Sequence, residues 1–229
     1  MLKRYSLVLI ILVLVKNAWA IEMIVDKPSG GAKGLVVIAP AKKYLMKERL
    51  FSELASRLKA AGYVAVRFNW SQDTLQTPEL ELSRAARDIQ YVVRTAQYHL
   101  GFQPARTVLI SKSFSTKAIG PSLSLARMHV ALTPNCSTEA PFGATYAHVL
   151  ARKDIVLRMI ISKDDPYCNV DEIRQTLRQI SRLPLLGITP HGDHNFMVMK
   201  GAVSDYFYQD QVVRNVLAQI ELSRLELAP

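Results

Sequence analysis

Little in this chain is suited to holding a metal ion, crossing a bilayer or gripping a nucleic acid. It has two cysteines, Cys136 and Cys168, and five histidines. They do not combine into paired ligands at zinc spacing, so neither a structural zinc nor metal-dependent hydrolysis is expected. After residue 20 no apolar run is long enough to span a membrane. The formal charge is +10, yet no basic block with interleaved aromatics stands out, so a nucleic-acid partner is not expected either. Repeats and low-complexity tracts are also missing. With 49% hydrophobic residues the chain has ample material for a core.

What is present begins with an address. Lys3 and Arg4 precede a short aliphatic run from Leu7 to Val15, and Ala18-Trp19-Ala20 offers small residues where a signal peptidase looks for them. The run is about half the ~20 residues a membrane span needs. We therefore expect residues 1–20 to be an export signal cleaved after Ala20, an uncleaved anchor being the alternative. The protein would then be periplasmic or extracellular, with no stable membrane insertion. Cleavage removes three of the 29 basic residues and leaves 26 against 19 acidic ones, a net +7. The remaining charges, such as Arg174, Arg178 and Arg182, are scattered over amphipathic segments and read as a solvated surface. In an oxidising compartment Cys136 and Cys168 either bridge or remain as two free thiols.

From Gly34 onward, strand-like and helix-like segments alternate, the pattern of a parallel sheet covered on both faces. Residues 34–39 (GLVVIA), 63–70, 107–110, 130–133, 155–162 and 185–189 read as strands, with 21–25 as an edge strand. Helices are expected at 48–61, 83–100, 116–125, 170–180 and 205–222, with Ala86, Ile89, Val93 and Tyr98 as the apolar face of the second. Gly120-Pro121 must shorten or kink the third. The irregular stretch from Pro134 to about Tyr146 leaves room only for a modest lid. One domain, residues 21–229, is expected.

Three features follow predicted strands, where open parallel sheets place their ligands. Ser111-Lys112-Ser113-Phe114-Ser115 stands between a strand and a helix, the setting of a nucleophile elbow that exposes one hydroxyl, here Ser113. Lys163-Asp164-Asp165-Pro166 ends another strand and supplies a carboxylate able to orient an imidazole, Asp165 being preferred to Asp164. His191-Gly192-Asp193-His194-Asn195-Phe196 follows the last strand. There His194, next to an apolar anchor, is the better general base than His191. Serine, then aspartate, then histidine, each after its own strand, is the α/β-hydrolase order.

The chain resembles the small, capless α/β-hydrolases of the dienelactone-hydrolase-like group over nearly all of residues 21–229. Within that group a narrower set carries an Arg-Phe-Asn triplet after a strand, a Gly-Lys-Ser-x-Gly elbow, a post-strand Asp-Pro with an aromatic and a Gly-Asp-His-x-Phe loop. Here these are Arg67-Phe68-Asn69, Ser111-Lys112-Ser113-Phe114-Ser115, Asp165-Pro166-Tyr167 and Gly192-Asp193-His194-Asn195-Phe196. The resemblance implies a mostly parallel sheet with helices on both faces and no large cap, and it implies nucleophile Ser113, acid Asp165 and base His194 without a cofactor. It departs from the group in two places. The elbow glycines are Ser111 and Ser115, and the oxyanion loop reads Ala39-Pro40-Ala41-Lys42. Pro40 has no N–H, which leaves Ala41 or Lys42 to act with the N–H of Phe114. The expected activity is hydrolysis of a small carboxylic ester or thioester. A scaffold that has kept the fold without the chemistry is the alternative.

Overall fold

The computed structural model describes residues 21–42, 45–72, 74, 81–134, 136, 142–152, 154–179, 185–200 and 203–226. The expected export segment, residues 1–20, and Arg182 lie outside them. Strand β1 (Met23–Asp26) leads to β2 (Leu35–Ala39), helix α1 (Arg49–Ala60), β3 (Val64–Phe68) and α2 (Glu81–Leu100). Then come β4 (Thr107–Ser113), α3 (Phe114–Ala118), β5 (Met128–Pro134), α4 (Phe142–Leu150), β6 (Val156–Ser162) and α5 (Val170–Arg178). The chain closes with β7 (Leu185–Thr189), β8 (Val198–Lys200), β9 (Val203–Asp205) and α6 (Phe207–Glu226).

Seven strands form one sheet in the order β1-β3-β2-β4-β5-β6-β7. All neighbours are parallel except β1, which runs antiparallel to β3 at the edge. Each strand alternates its side chains between the two faces, so a strand buried on both must be apolar throughout. β2 shows this directly. Leu35, Val37 and Ala39 enter a core shared with Ile89, Val93 and Ile173, while Val36 and Ile38 enter a second one with Leu54, Val213 and Val216. Helices α2 and α5 therefore cover one face, and α1 and α6 the other. From β2 the chain winds first toward β3 and later the opposite way through β4, so the sheet changes direction between β2 and β4. Ligands of doubly wound sheets bind beyond the strand ends at such a point.

Several sequence expectations change. The predicted helix 116–125 is a five-residue α3 followed, at Gly120–Leu125, by a 3₁₀ segment, because Pro121 cannot continue an α-helical ladder. The end of the stretch read as irregular, from Phe142 on, is the start of α4. A short hairpin, β8–β9, was not foreseen. Tyr98, expected on the buried face of α2, is 84% exposed, and the buried face is instead Ala85, Asp88, Ile89, Val92, Val93 and Ala96.

Arg67-Phe68-Asn69 is structural. Arg67 pairs with Asp26 at 2.9 Å and donates to the Met46 carbonyl at 2.8 Å, and Asn69 Oδ1 accepts from Met46 N at 3.0 Å. The triplet thus pins the loop before α1 to the sheet.

Candidate active site

β4 runs three residues further than expected, through Ser111 and Lys112 to Ser113. Its register with β5 shifts between Lys112 and Ser113, where the chain turns sharply into α3. Ser113 itself has φ 50° and ψ −113°, a region costly for any residue with a Cβ. Such a strained strand-to-helix turn lifts a side chain clear of both elements. The two serines in the glycine positions are buried and bonded. Ser111 Oγ lies 2.6 Å from His129 Nε2. Ser115 Oγ accepts from Lys112 N at 2.8 Å and reaches the Ala39 carbonyl at 3.0 Å, tying the turn to the end of β2.

The structure brings Ser113, His194 and Asp165 into one hydrogen-bonded chain. His194 Nε2 is 2.7 Å from Ser113 Oγ, and His194 Nδ1 is 2.8 Å from Asp165 Oδ2. The Asp165 carboxylate is fully buried, and its other oxygen accepts from the backbone N–H groups of Tyr167 (2.9 Å) and Cys168 (3.3 Å). Three donors leave it one orientation, facing the imidazole. Pro166 begins the turn that supplies two of them. Asp164 points elsewhere and pairs with His191 at 3.1 Å, both side chains more than half exposed. The Tyr167 ring meets the His194 ring edge-on, with centroids 4.8 Å apart.

Ala41 and Phe114 stand on the two sides of the switch point. The indole N–H of Trp70 donates to the Ala41 carbonyl at 3.1 Å, and the indole packs edge-on against Phe114 at 5.7 Å. Trp70 thereby fixes both residues, a part that its place at the end of an apolar run did not disclose. As the first residue of α3, Phe114 has a backbone N–H with no partner within that helix. A cavity of about 850 Å³ adjoins Asp165, Tyr167 and Arg174, but neither Ser113 nor His194 lines it. Among the described residues no group of His, Cys, Asp or Glu is arranged to hold a metal, and no helix is long and apolar enough to cross a membrane.

Cys136 and Cys168 form a disulfide with Cα atoms 5.2 Å apart. It joins the chain just after β5 to the loop that carries Asp165, at Cys168, which is itself one of that carboxylate's backbone donors. Closing a loop of 32 residues constrains the unfolded chain by about 3–4 kcal/mol in the entropic account. Urea unfolding of a Cys136→Ser/Cys168→Ser variant should show a loss of that order, and unchanged stability would contradict the bridge.

Lys112 is the least expected member of the site. A lysine in a turn ordinarily reaches water, but this one is 2% exposed. Burial pushes its pKa down to about 7, against the opposing pull of Asp165 and Asp193. Glu48 and Arg49 share with it a small cavity of about 170 Å³. An unfolded chain keeps the proton up to about 10.5, so from pH 7 to 10.5 it binds more protons than the folded chain. Stability from this group therefore rises with pH through that window and is lost again as pH falls from 10.5 to 7. Between pH 7 and 9 the wild type should gain about 2 kcal/mol more than Lys112→Met in urea titrations. Parallel pH slopes for the two proteins would rule this out.

No protein-family model matches the chain, and no curated protein matches it by sequence. Solved structures do. An α/β serine hydrolase homologue from Coxiella burnetii superposes with TM-score 0.66 at 16% identity, over 85% of this chain and 91% of its own. A Xanthomonas campestris α/β serine hydrolase without lid gives 0.67 at 15% identity, over 91% of each chain. The chain has the α/β-hydrolase fold. Esterase 2 of Thermogutta terrifontis, phosphonylated by cyclosarin, also shares it, with TM-score 0.69 at 14% identity over 94% of this chain and 93% of its own. Like its Xanthomonas neighbour, this α/β-hydrolase-fold chain carries no separate cap among its described residues.

Proposed function

We propose that this protein is a serine hydrolase that cleaves a small carboxylic ester or thioester through an acyl-enzyme on Ser113. The observation that carries this reading is the unbroken hydrogen-bonded chain from Ser113 Oγ through His194 to the buried Asp165. His194 Nε2 takes the hydroxyl proton as Oγ attacks the substrate carbonyl. Asp165 keeps the proton on Nδ1 and offsets the charge of the imidazolium. The carbonyl oxygen, now an oxyanion, accepts from the backbone N–H groups of Phe114 and Ala41. Each such donor contributes roughly 3 kcal/mol to the transition state. The intermediate collapses as His194 returns the proton to the leaving alcohol or thiol. Water, deprotonated by the same imidazole, then releases the acid and restores Ser113. No step calls for a cofactor.

We also read the protein as exported. The basic and aliphatic residues 3–15 with Ala18 and Ala20 support that reading, and so does the disulfide, which needs an oxidising compartment.

The direct test is covalent labelling by a fluorophosphonate probe, alongside turnover of a panel of chromogenic acyl esters and thioesters. The choice of probe follows from the phosphonylated Thermogutta neighbour. Stoichiometric labelling with turnover of short acyl substrates is expected. A folded protein that neither labels nor turns over would instead be a scaffold on this fold.

A further inference from the structure

The proposed reaction gives Lys112 no part, yet its amine is the point at which the site is tied together. Nζ donates to Thr133 Oγ1 at the end of β5 (2.8 Å) and to the main-chain carbonyl of His194 (2.6 Å), and it lies 5.8 Å from the centre of the Phe196 ring. One side chain thus joins the turn that bears Ser113, the neighbouring strand and the loop that bears His194. Among the described residues three non-glycines have positive φ: Ser113 at 50°, Thr133 at 39° and Phe196 at 59°. The first follows Lys112 in the chain, the second accepts its hydrogen bond, and the third has its ring near the amine. A β-branched and a bulky aromatic residue hold such angles only where their surroundings leave no alternative. The strained backbone of the site is gathered around this one group.

The rest of the His194 loop is held from other directions. Asp193 Oδ1 accepts from Asn195 N (2.7 Å) and Met197 N (3.0 Å), and Gln209 on α6 donates to the Asn195 carbonyl (2.9 Å). Ser162 Oγ bonds the Gly192 carbonyl. These contacts fix the loop to itself, to β6 and to α6. At the His194 carbonyl, Lys112 is what relates it to the strand that ends in Ser113.

We infer that Lys112 is a positioning residue, whose amine sets the separation of His194 Nε2 from Ser113 Oγ by holding the His194 main chain against the elbow. The inference rests on the reading of Ser113 and His194 as nucleophile and base. An amine donates both bonds whether or not it carries the third proton, so the tie operates on both sides of neutral pH.

Lys112→Met keeps the apolar stem and removes both donors. Because a displacement near 1 Å costs roughly 10²-fold, kcat for a chromogenic ester should fall about 30- to 100-fold with KM within about twofold. Fluorophosphonate labelling should slow in parallel, and hydrogen exchange of amides 193–197 should speed up while the rest of the sheet stays protected. Lys112→Gln keeps a donor on a stem one atom shorter, and its kcat should fall between those of wild type and Lys112→Met. Should the methionine variant fail to fold, the glutamine variant decides by the same measure. A wild-type kcat in either folded variant overturns the inference, and so does a loss carried by KM alone. Ser113→Ala, assayed in the same series, separates the two levels. If that variant still labels, the reading of the site fails; if it does not label while Lys112→Met turns over normally, only the role of Lys112 fails.

Discussion

Ser113→Ala is expected to lower kcat by about five to six orders of magnitude and to abolish fluorophosphonate labelling, with the fold unchanged. The magnitude follows from what is removed. Ser113 Oγ is the atom His194 Nε2 addresses at 2.7 Å, and without it the proposed acyl-enzyme cannot form. The residue remaining would be the donors of Phe114 and Ala41, which still favour an oxyanion if water attacks unaided. Stability should move little, because the hydroxyl is only half-buried and the cost of φ 50° at this position belongs to any residue with a Cβ. Circular dichroism and a urea titration test the fold, and a chromogenic ester with the probe tests the chemistry. Undiminished labelling of the alanine variant would remove Ser113 from the mechanism.

The two adjacent carboxylates should separate almost as widely. Asp165→Asn keeps the shape of the side chain but offers His194 Nδ1 an amide in place of a carboxylate. The imidazole is then free to take the wrong tautomer, and its protonated form loses its counter-charge. A loss in kcat of about 10⁴-fold is expected, with KM nearly unchanged. Asp164→Asn should stay within about threefold of wild type. Its partner is His191 on the surface, and exposed pairs of this kind contribute about 0–1 kcal/mol. A larger loss for Asp164→Asn than for Asp165→Asn would reverse the assignment of the acid.

These residues were legible in the sequence because each is a chemically distinctive type placed directly after a run of apolar, strand-forming residues. The strands themselves were legible for a related reason. Segments such as LVVIA must be apolar at every position when both faces are covered, and no surface helix is built that way. What stayed hidden depends on the third dimension. Tyr98 lies nine residues from Ile89, about 180° around an ideal helix, so it had to face water once Ile89 faced the core. Helix α4 is only nine residues long with Gly143 near its start, and tertiary packing of its stripe Phe142, Tyr146 and Val149 holds it in place of local propensity. Lys112 and Trp70 were invisible as members of the site. A lysine is read as exposed and a tryptophan as core until the atoms their polar ends reach are known.

The order of strands has a consequence for how activity is acquired. Ser113 ends β4 and His194 follows β7, 81 residues on, and between them in the sheet stand β5 and β6, each reached by its own crossover. No early fragment or half-formed sheet can bring hydroxyl and imidazole within reach, since β4 and β7 have no edge in common. Parallel pairings at such chain separations form slowly, because loop closure must precede the contacts that reward it. Turnover during refolding should therefore emerge as a late, single event, after most helical signal has returned. A chain still threading toward its destination is in this sense chemically silent, and the hydrolytic power proposed for it would arrive only with the last strand.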